Sequence, residues 1–131
     1  MKQLNSESTE LLNKMVGMLE NRFAEIENSI NPLMSVFIGL VFENDKYLMY
    51  SVGHYFHRDG KLTAEPEMRC LYDMEEGIYY PLFYRQDCLD IEENSIKIEG
   101  GRIKSVDRVR QTAQTQFANT WFKKIKQQLK L

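Results

Sequence analysis

The sequence is poor in the residues that most often announce a site. Its 131 residues include only two histidines, two cysteines and three prolines. Cys70 and Cys88 form no CxxC pair and are too few for a disulfide scaffold or a thiolate zinc centre. Seven glycines and three prolines exclude collagen-like and low-complexity chains. No apolar run approaches the ~18–20 residues that span a bilayer. The longest, residues 33–42, is interrupted by Ser35 and Gly39. The opening MKQLNSESTE lacks the apolar core of a signal peptide. Also missing are an H-E-x-x-H, a D-x-D-x-D-G loop, a G-x-S-x-G elbow and a lysine-bearing Gly-rich phosphate loop. The expectation is a single cytoplasmic domain over residues 1–131, monomer or homodimer, with no membrane, cofactor or metal.

What is present suffices for a core: 43% of residues are hydrophobic and 27% charged. The net charge of −2 hides an asymmetry. Residues 1–101 carry 9 basic and 18 acidic side chains, whereas 102–131 carry 8 basic residues against Asp107 alone. An acidic body with a basic tail bears on partners and solubility, not on fold.

Hydrophobic spacing predicts a helix over about 8–30, with Leu11, Leu12, Met15, Leu19, Phe23, Ile26 and Ile30 on one stripe. Ser6 or Ser8 would cap it, and Asn31-Pro32 would stop it. From about 34 to 103 the pattern is β. Strands are expected at 34–42, 47–57, 66–73 and 78–85, with weaker ones near 96–98 and 102–103. Asp59-Gly60 is a hairpin signature, Glu65-Pro66-Glu67-Met68 would open the third strand, and Pro81 marks an edge or a bulge. A second helix is predicted over about 105–129, capped by Ser105. Its apolar stripe runs through Val109, Ala113, Phe117, Trp121 and Ile125, with Gln111, Gln114 and Lys123 on the wet side. The fold class is α+β: an antiparallel sheet of four to six strands with both helices on one face. Trp121, Phe117, Phe23, Leu19, Val36, Ile38 and His54 are expected in the core.

His54 and His57 are three apart in a strand, so they point to opposite faces and cannot share a metal ion. His54 falls on the apolar side. Asp59, Glu65, Glu67, Asp87 and Asp90 gather around one hairpin, where paired carboxylates suit acid/base work or Mg²⁺, or simply keep the turns soluble. Aromatics are the most distinctive feature. Tyr47, Tyr55, Tyr79 and Phe83 are expected on the face the helices leave open, beside Glu65, Glu67, Glu75 and Glu76, as a protein-contact surface. Lys123, Lys124, Lys126 and Lys130 are the alternative contact, to nucleic acid.

Three segments, HYFHRDGKLTAEPEM (54–68), YPLFYRQDCL (80–89) and FANTWFKKIKQQ (117–128), resemble an uncharacterised domain of bacterial plasmids, conjugative elements and phages. The matching residues are His54-Tyr55, Gly60, Glu65-Pro66-Glu67-Met68, Pro81-Leu82, Tyr84, Asp87, Phe117-Ala118 and Trp121. Cys88-Leu89-Asp90 and Gln127-Gln128-Leu129 depart from its pattern. The resemblance implies a mobile-element setting and no mechanism. The functional expectation is a non-catalytic protein-binding module, with a counter-defence inhibitor of anti-restriction or anti-CRISPR type as its candidate role. Its partner would be a host DNA-processing or defence protein. The alternatives are a small hydrolase or metal-dependent enzyme using His54, His57, Glu67 and Asp87, and a nucleic-acid-binding accessory protein.

Overall fold

The computed structural model describes residues 1–31 and 35–131. Its elements are α1 (Ser6–Val16), β1 (Phe23–Ile26), β2 (Val36–Glu43), β3 (Tyr47–Arg58), β4 (Lys61–Asp73), β5 (Ile78–Gln86), a 3-10 turn (Asp87–Leu89), β6 (Ile91–Asn94), β7 (Ile96–Glu99), β8 (Arg102–Val106) and α2 (Arg108–Leu129). Strands β1 to β6 form one antiparallel sheet in sequence order, and β7 pairs only with β8. The fold is therefore α+β, with both terminal helices packed into one core on one sheet face. None of the helices among the described residues is long and apolar enough to cross a membrane.

The N-terminal helix is much shorter than its spacing predicts. It is capped by Asn5, whose side chain accepts from the Ser8 amide, and it ends at Gly17. A turn with positive φ at Asn21 and Arg22 then redirects the chain into β1. The apolar residues beyond that turn follow a period of two: Ala24 and Ile26 pack on the helix-side core, while Phe23 points the other way and is 52% exposed. Leu19 is only half-buried and Ile30 is exposed. The expected stop at Pro32 and the strand start at Met34 lie outside the described residues.

The second helix also departs from its expected stripe. Its cap is Asp107, which accepts from the Arg110 amide, not Ser105. Trp121, Phe122, Ala118 and Ile125 are buried, but so are Gln111 and Gln114, while Val109 is 84% exposed and Phe117 is 38% exposed. Unsatisfied backbone explains the inversion. Pro81 sits beside a bulge in β5, and Gln111 Nε2 donates to its carbonyl at 3.0 Å. Gln111 also exchanges hydrogen bonds with the backbone of Lys2. Gln114 accepts from Ser95 Oγ and donates to the Glu93 carbonyl on the outer side of β6. The helix thus buries amides where it meets main chain and apolar groups where it meets side chains.

The third predicted strand begins earlier than expected. β4 runs from Lys61, and the cis Glu65-Pro66 bond falls where the register with β3 slips. The preceding Asp59-Gly60 turn has positive φ at both residues, as its sequence predicts. The weak strands near 96–106 do form, but as a separate ribbon. Ile96, Ile98, Ile103 and Val106 lie over Tyr47, Leu71, Leu82 and Phe83, making a second core on the face opposite the helices.

Phe122→Ala and Trp121→Ala should each lower the unfolding free energy by about 3–5 kcal/mol. Val109→Ala should stay within about 0.5 kcal/mol. Urea denaturation of the three variants checks this assignment of the core.

Candidate functional site

The ribbon covers only the β4–β5 side of the second sheet face. Toward β1 and β2 that face stays open as a groove of about 570 Å³. One wall is an aromatic ladder across three strands. Phe23 and Phe37 have ring centroids 6.0 Å apart, and Phe37 meets Tyr55 edge-on at 5.7 Å. Tyr55 folds back over Gly53, where a Cβ would come within 2.8 Å of the Tyr55 ring and 3.1 Å of the Pro66 carbonyl. Any larger residue would displace the ring. Val41 and Leu62, both about half exposed or more, complete the apolar lining.

The floor is polar. Glu67 is only 3% exposed, and its Oε2 accepts from Ser51 Oγ at 2.5 Å and from Arg69 Nε at 2.9 Å. Its Oε1 lies 3.4 Å from Arg85 Nη2. The Arg69 guanidinium stacks on the Phe83 ring at 4.4 Å. Arg85 Nε is buried 3.3 Å from Asp87 Oδ1, close enough for an ion pair but with no hydrogen bond among the described residues. Two arginines thus converge on one buried carboxylate.

The expected contact surface does not exist as a surface. Tyr47 and Phe83 are buried under the ribbon, at 4% exposure each. Tyr79 faces the helices, where its hydroxyl donates to Asn13 Oδ1 at 2.7 Å. Of the four aromatics, only Tyr55 reaches the groove. The acidic residues are divided as well. Glu67 is neutralised, and Glu65 accepts from the Cys88 amide and thiol, pinning the 3-10 turn to β4. Glu75 and Glu76 are exposed at the far end of β4, about 25 Å of extended chain away. Glu67 is buried by the two arginines that converge on it, and the buried Asp73 accepts from the Glu75 and Glu76 amides of its turn, with Lys46 Nζ 3.8 Å away.

The enzyme constellation is likewise separated. His54 lies on the helix side, in a small cleft with Phe56, Glu65, Pro66, Trp121 and Lys124, whereas His57 and Glu67 line the groove on the other face. Asp87 accepts from the Ala64 amide at 2.7 Å and pairs with Arg85, a structural post. No cluster of three or more metal-ligating side chains occurs among the described residues. Neither thiol is activated: burial pushes Cys70 up to about 12, and the Glu65 carboxylate raises Cys88. His54 Nδ1 lies 3.0 Å from the Ser35 carbonyl, which can only accept, so Nδ1 carries the proton. The ring meets Trp121 edge-on at 5.5 Å. Lys123, Lys124, Lys126 and Lys130 make no ion pair among the described residues.

Sequence reasoning missed Phe23, Phe37, Leu62, Arg69 and Arg85. The signal was the near-continuous hydrophobicity of residues 36–42, which puts Phe37 and Val41 on the face opposite Val36 and Ile38. The two arginines come together only through the β4–β5 register, in which Glu67 opposes Arg85.

The family model of DUF6908, a domain of unknown function, matches residues 6–131, and the chain belongs to that family. No curated protein matches the chain. No solved structure matches it either.

Burial depresses the His54 pKa below 6.5, against a smaller opposing effect of its bond to Ser35. Between the lowered native value and 6.5 the unfolded chain binds the extra proton, so stability rises with pH there and falls as pH drops below about 6.5. In His54→Gln that slope should flatten, as read from urea midpoints between pH 5 and 7.5. Glu67→Ala, which leaves Arg69 without its carboxylate and Arg85 with Asp87 alone, should cost about 3–5 kcal/mol. Glu76→Ala, at the exposed turn, should cost less than about 0.5 kcal/mol.

Proposed function

We propose that this DUF6908 chain is a non-catalytic protein-binding module whose contact surface is the open half of its sheet. One observation carries the reading: Phe23, Val41 and Leu62, exposed at 52%, 48% and 63%, surround a groove that also contains Phe37, Tyr55 and two arginines. Contiguous exposed apolar surface rimmed by polar groups is the mark of an interaction site. Aromatic and arginine side chains dominate the energetics of such sites. The ionisable groups of the groove floor are engaged with one another, which suits a fixed recognition surface better than proton transfer.

The resemblance to domains of plasmids, conjugative elements and phages directs the search for the partner to host DNA-processing and defence proteins. On this proposal the chain is a counter-defence inhibitor that occupies a nuclease surface through apolar and aromatic contact. The contact is proposed as apolar and aromatic rather than acidic, since Glu67 is paired with two arginines and Glu65 is tied to Cys88. A second reading rests on Lys123, Lys124 and Lys126 of α2 and on Lys130 at its C-cap, whose amines are free of ion pairs among the described residues; here the ligand is nucleic acid. Phosphate binding would weaken linearly in log salt concentration.

Retention of one defined host protein by the immobilised chain, compared across variants, tests both. Leu62→Asp, at an exposed position, should reduce retention roughly tenfold or more. The paired change Lys123→Glu and Lys126→Glu should leave it intact. Equal retention by Leu62→Asp, or loss confined to the lysine variant with a steep salt dependence, overturns the protein-binding proposal.

A further inference from the structure

Resting on that reading of the open face, we infer that the groove recognises an acidic residue flanked by aromatic or aliphatic side chains, presented by an extended segment of the partner. The carboxylate is received by Arg69 and Arg85, and the flanking side chains by the Phe37–Tyr55 wall and Leu62.

Hydrogen-bonding capacity points this way. Each guanidinium offers five N–H donors and no acceptor. Arg69 spends only Nε, on Glu67, and its two terminal nitrogens make no hydrogen bond among the described residues. Arg85 makes none at all, although Nη2 lies 3.4 Å from Glu67 and Nε lies 3.3 Å from Asp87. Glu67 Oε2 accepts from both Ser51 and Arg69, and Oε1 has only the 3.4 Å ion contact with Arg85 Nη2. The groove floor therefore holds more unspent guanidinium donors than the single remaining carboxylate oxygen, Glu67 Oε1, can use. Its natural complement is an acceptor, and a carboxylate fits the planar guanidinium fork best.

Charge supports the same conclusion. Arg69 and Arg85 bring two positive charges to the groove, and Glu67 brings one negative charge. Asp87 balances Arg85 but stands outside the lining, so the charged residues that line the groove are two arginines and one carboxylate. Stacking on Phe83 and the bond to Glu67 hold Arg69 in place, so little side-chain freedom is lost when a ligand arrives. The apolar walls require that the acid be attached to something apolar. They also disfavour a nucleic-acid strand, which needs cations along its whole backbone, whereas beyond the two arginines only His57 among the lining residues can become cationic. A volume of about 570 Å³ accommodates a few side chains, not a folded domain.

The test uses two capped tripeptides, acetyl-Phe-Glu-Phe-amide and its Gln isostere, titrated into ¹⁵N-labelled protein. The Glu peptide should shift the backbone amides of Tyr55 and Leu62 and the Nε–H signal of Arg69. The Gln peptide should bind at least about fivefold more weakly. Leu62→Asp, which adds a like charge at an exposed position, should weaken the Glu peptide by a similar factor while leaving the rest of the spectrum unchanged. Equal binding of the two peptides means that the arginines serve Glu67 alone, and overturns the inference. Shifts confined to the helix face, or no shifts, overturn it too. If the peptides show no preference but retention of the host protein still depends on Leu62, the binding-module reading survives and only its acidic specificity falls. If neither depends on Leu62, both fall.

Discussion

A sheet has two faces, and in this structure the described residues cover one face fully and the other in part. Two helices close one face from β1 to β5, burying Val36, Ile38, Val52, Met68 and Cys70 completely. Among the described residues the further cover is the short ribbon of β7 and β8, which shields the β4–β5 side of the second face. Everything distinctive about the molecule follows from where that ribbon stops. Beneath it, Tyr47, Leu71 and Phe83 are core residues; beyond it, Phe23, Phe37 and Val41 meet solvent although they are as apolar as the buried ones. Among the described residues the uncovered strip follows from the topology, and the side chains on it are apolar.

Polar groups mark each boundary between covered and uncovered surface. Where α2 crosses main chain interrupted by Pro81, two glutamines are buried to satisfy carbonyl groups that no strand can reach. Where the ribbon ends, Glu67 and its two arginines separate the second core from the groove. A buried ion cluster there contributes little net stability against an apolar alternative. It does exclude register slips, because moving β4 by one residue would carry Glu67 into the helix-side core. The same cluster leaves guanidinium donors directed to a surface lined by aromatics, so a device that specifies the sheet also equips the groove.

The residues that carry the family resemblance sort onto both sides of the β3–β4 hairpin. His54, Glu65, Pro66 and Trp121 meet in the cleft beside α2, while Tyr55 and Glu67 turn into the groove. The slip in register at Gly53 permits this division, letting the Tyr55 ring lie over a residue without a side chain. Seen from function, the hairpin couples the two faces: Glu65 and Asp87 anchor the 3-10 turn that follows β5, and Asp87 in turn braces Arg85.

By itself the amino-acid sequence determined the fold class, the antiparallel strands, the Asp59-Gly60 turn, the bulge at Pro81 and the opposite orientations of His54 and His57. All of these depend on local backbone preference or on the period of two within a strand. Tertiary structure alone decided the rest. The stretch from Phe23 to Ile30 has helical spacing, yet Gly17 ends the helix and Phe23 to Ile26 pair with β2 as an edge strand. Gln111 reads as a wet-face residue until the carbonyl of Pro81 is seen to need a donor. Tyr47, Tyr79 and Phe83 read as a surface until the ribbon and Asn13 cover them. Burial of a strand residue is set by what packs on its face, and that partner lies tens of residues away, where no local pattern records it.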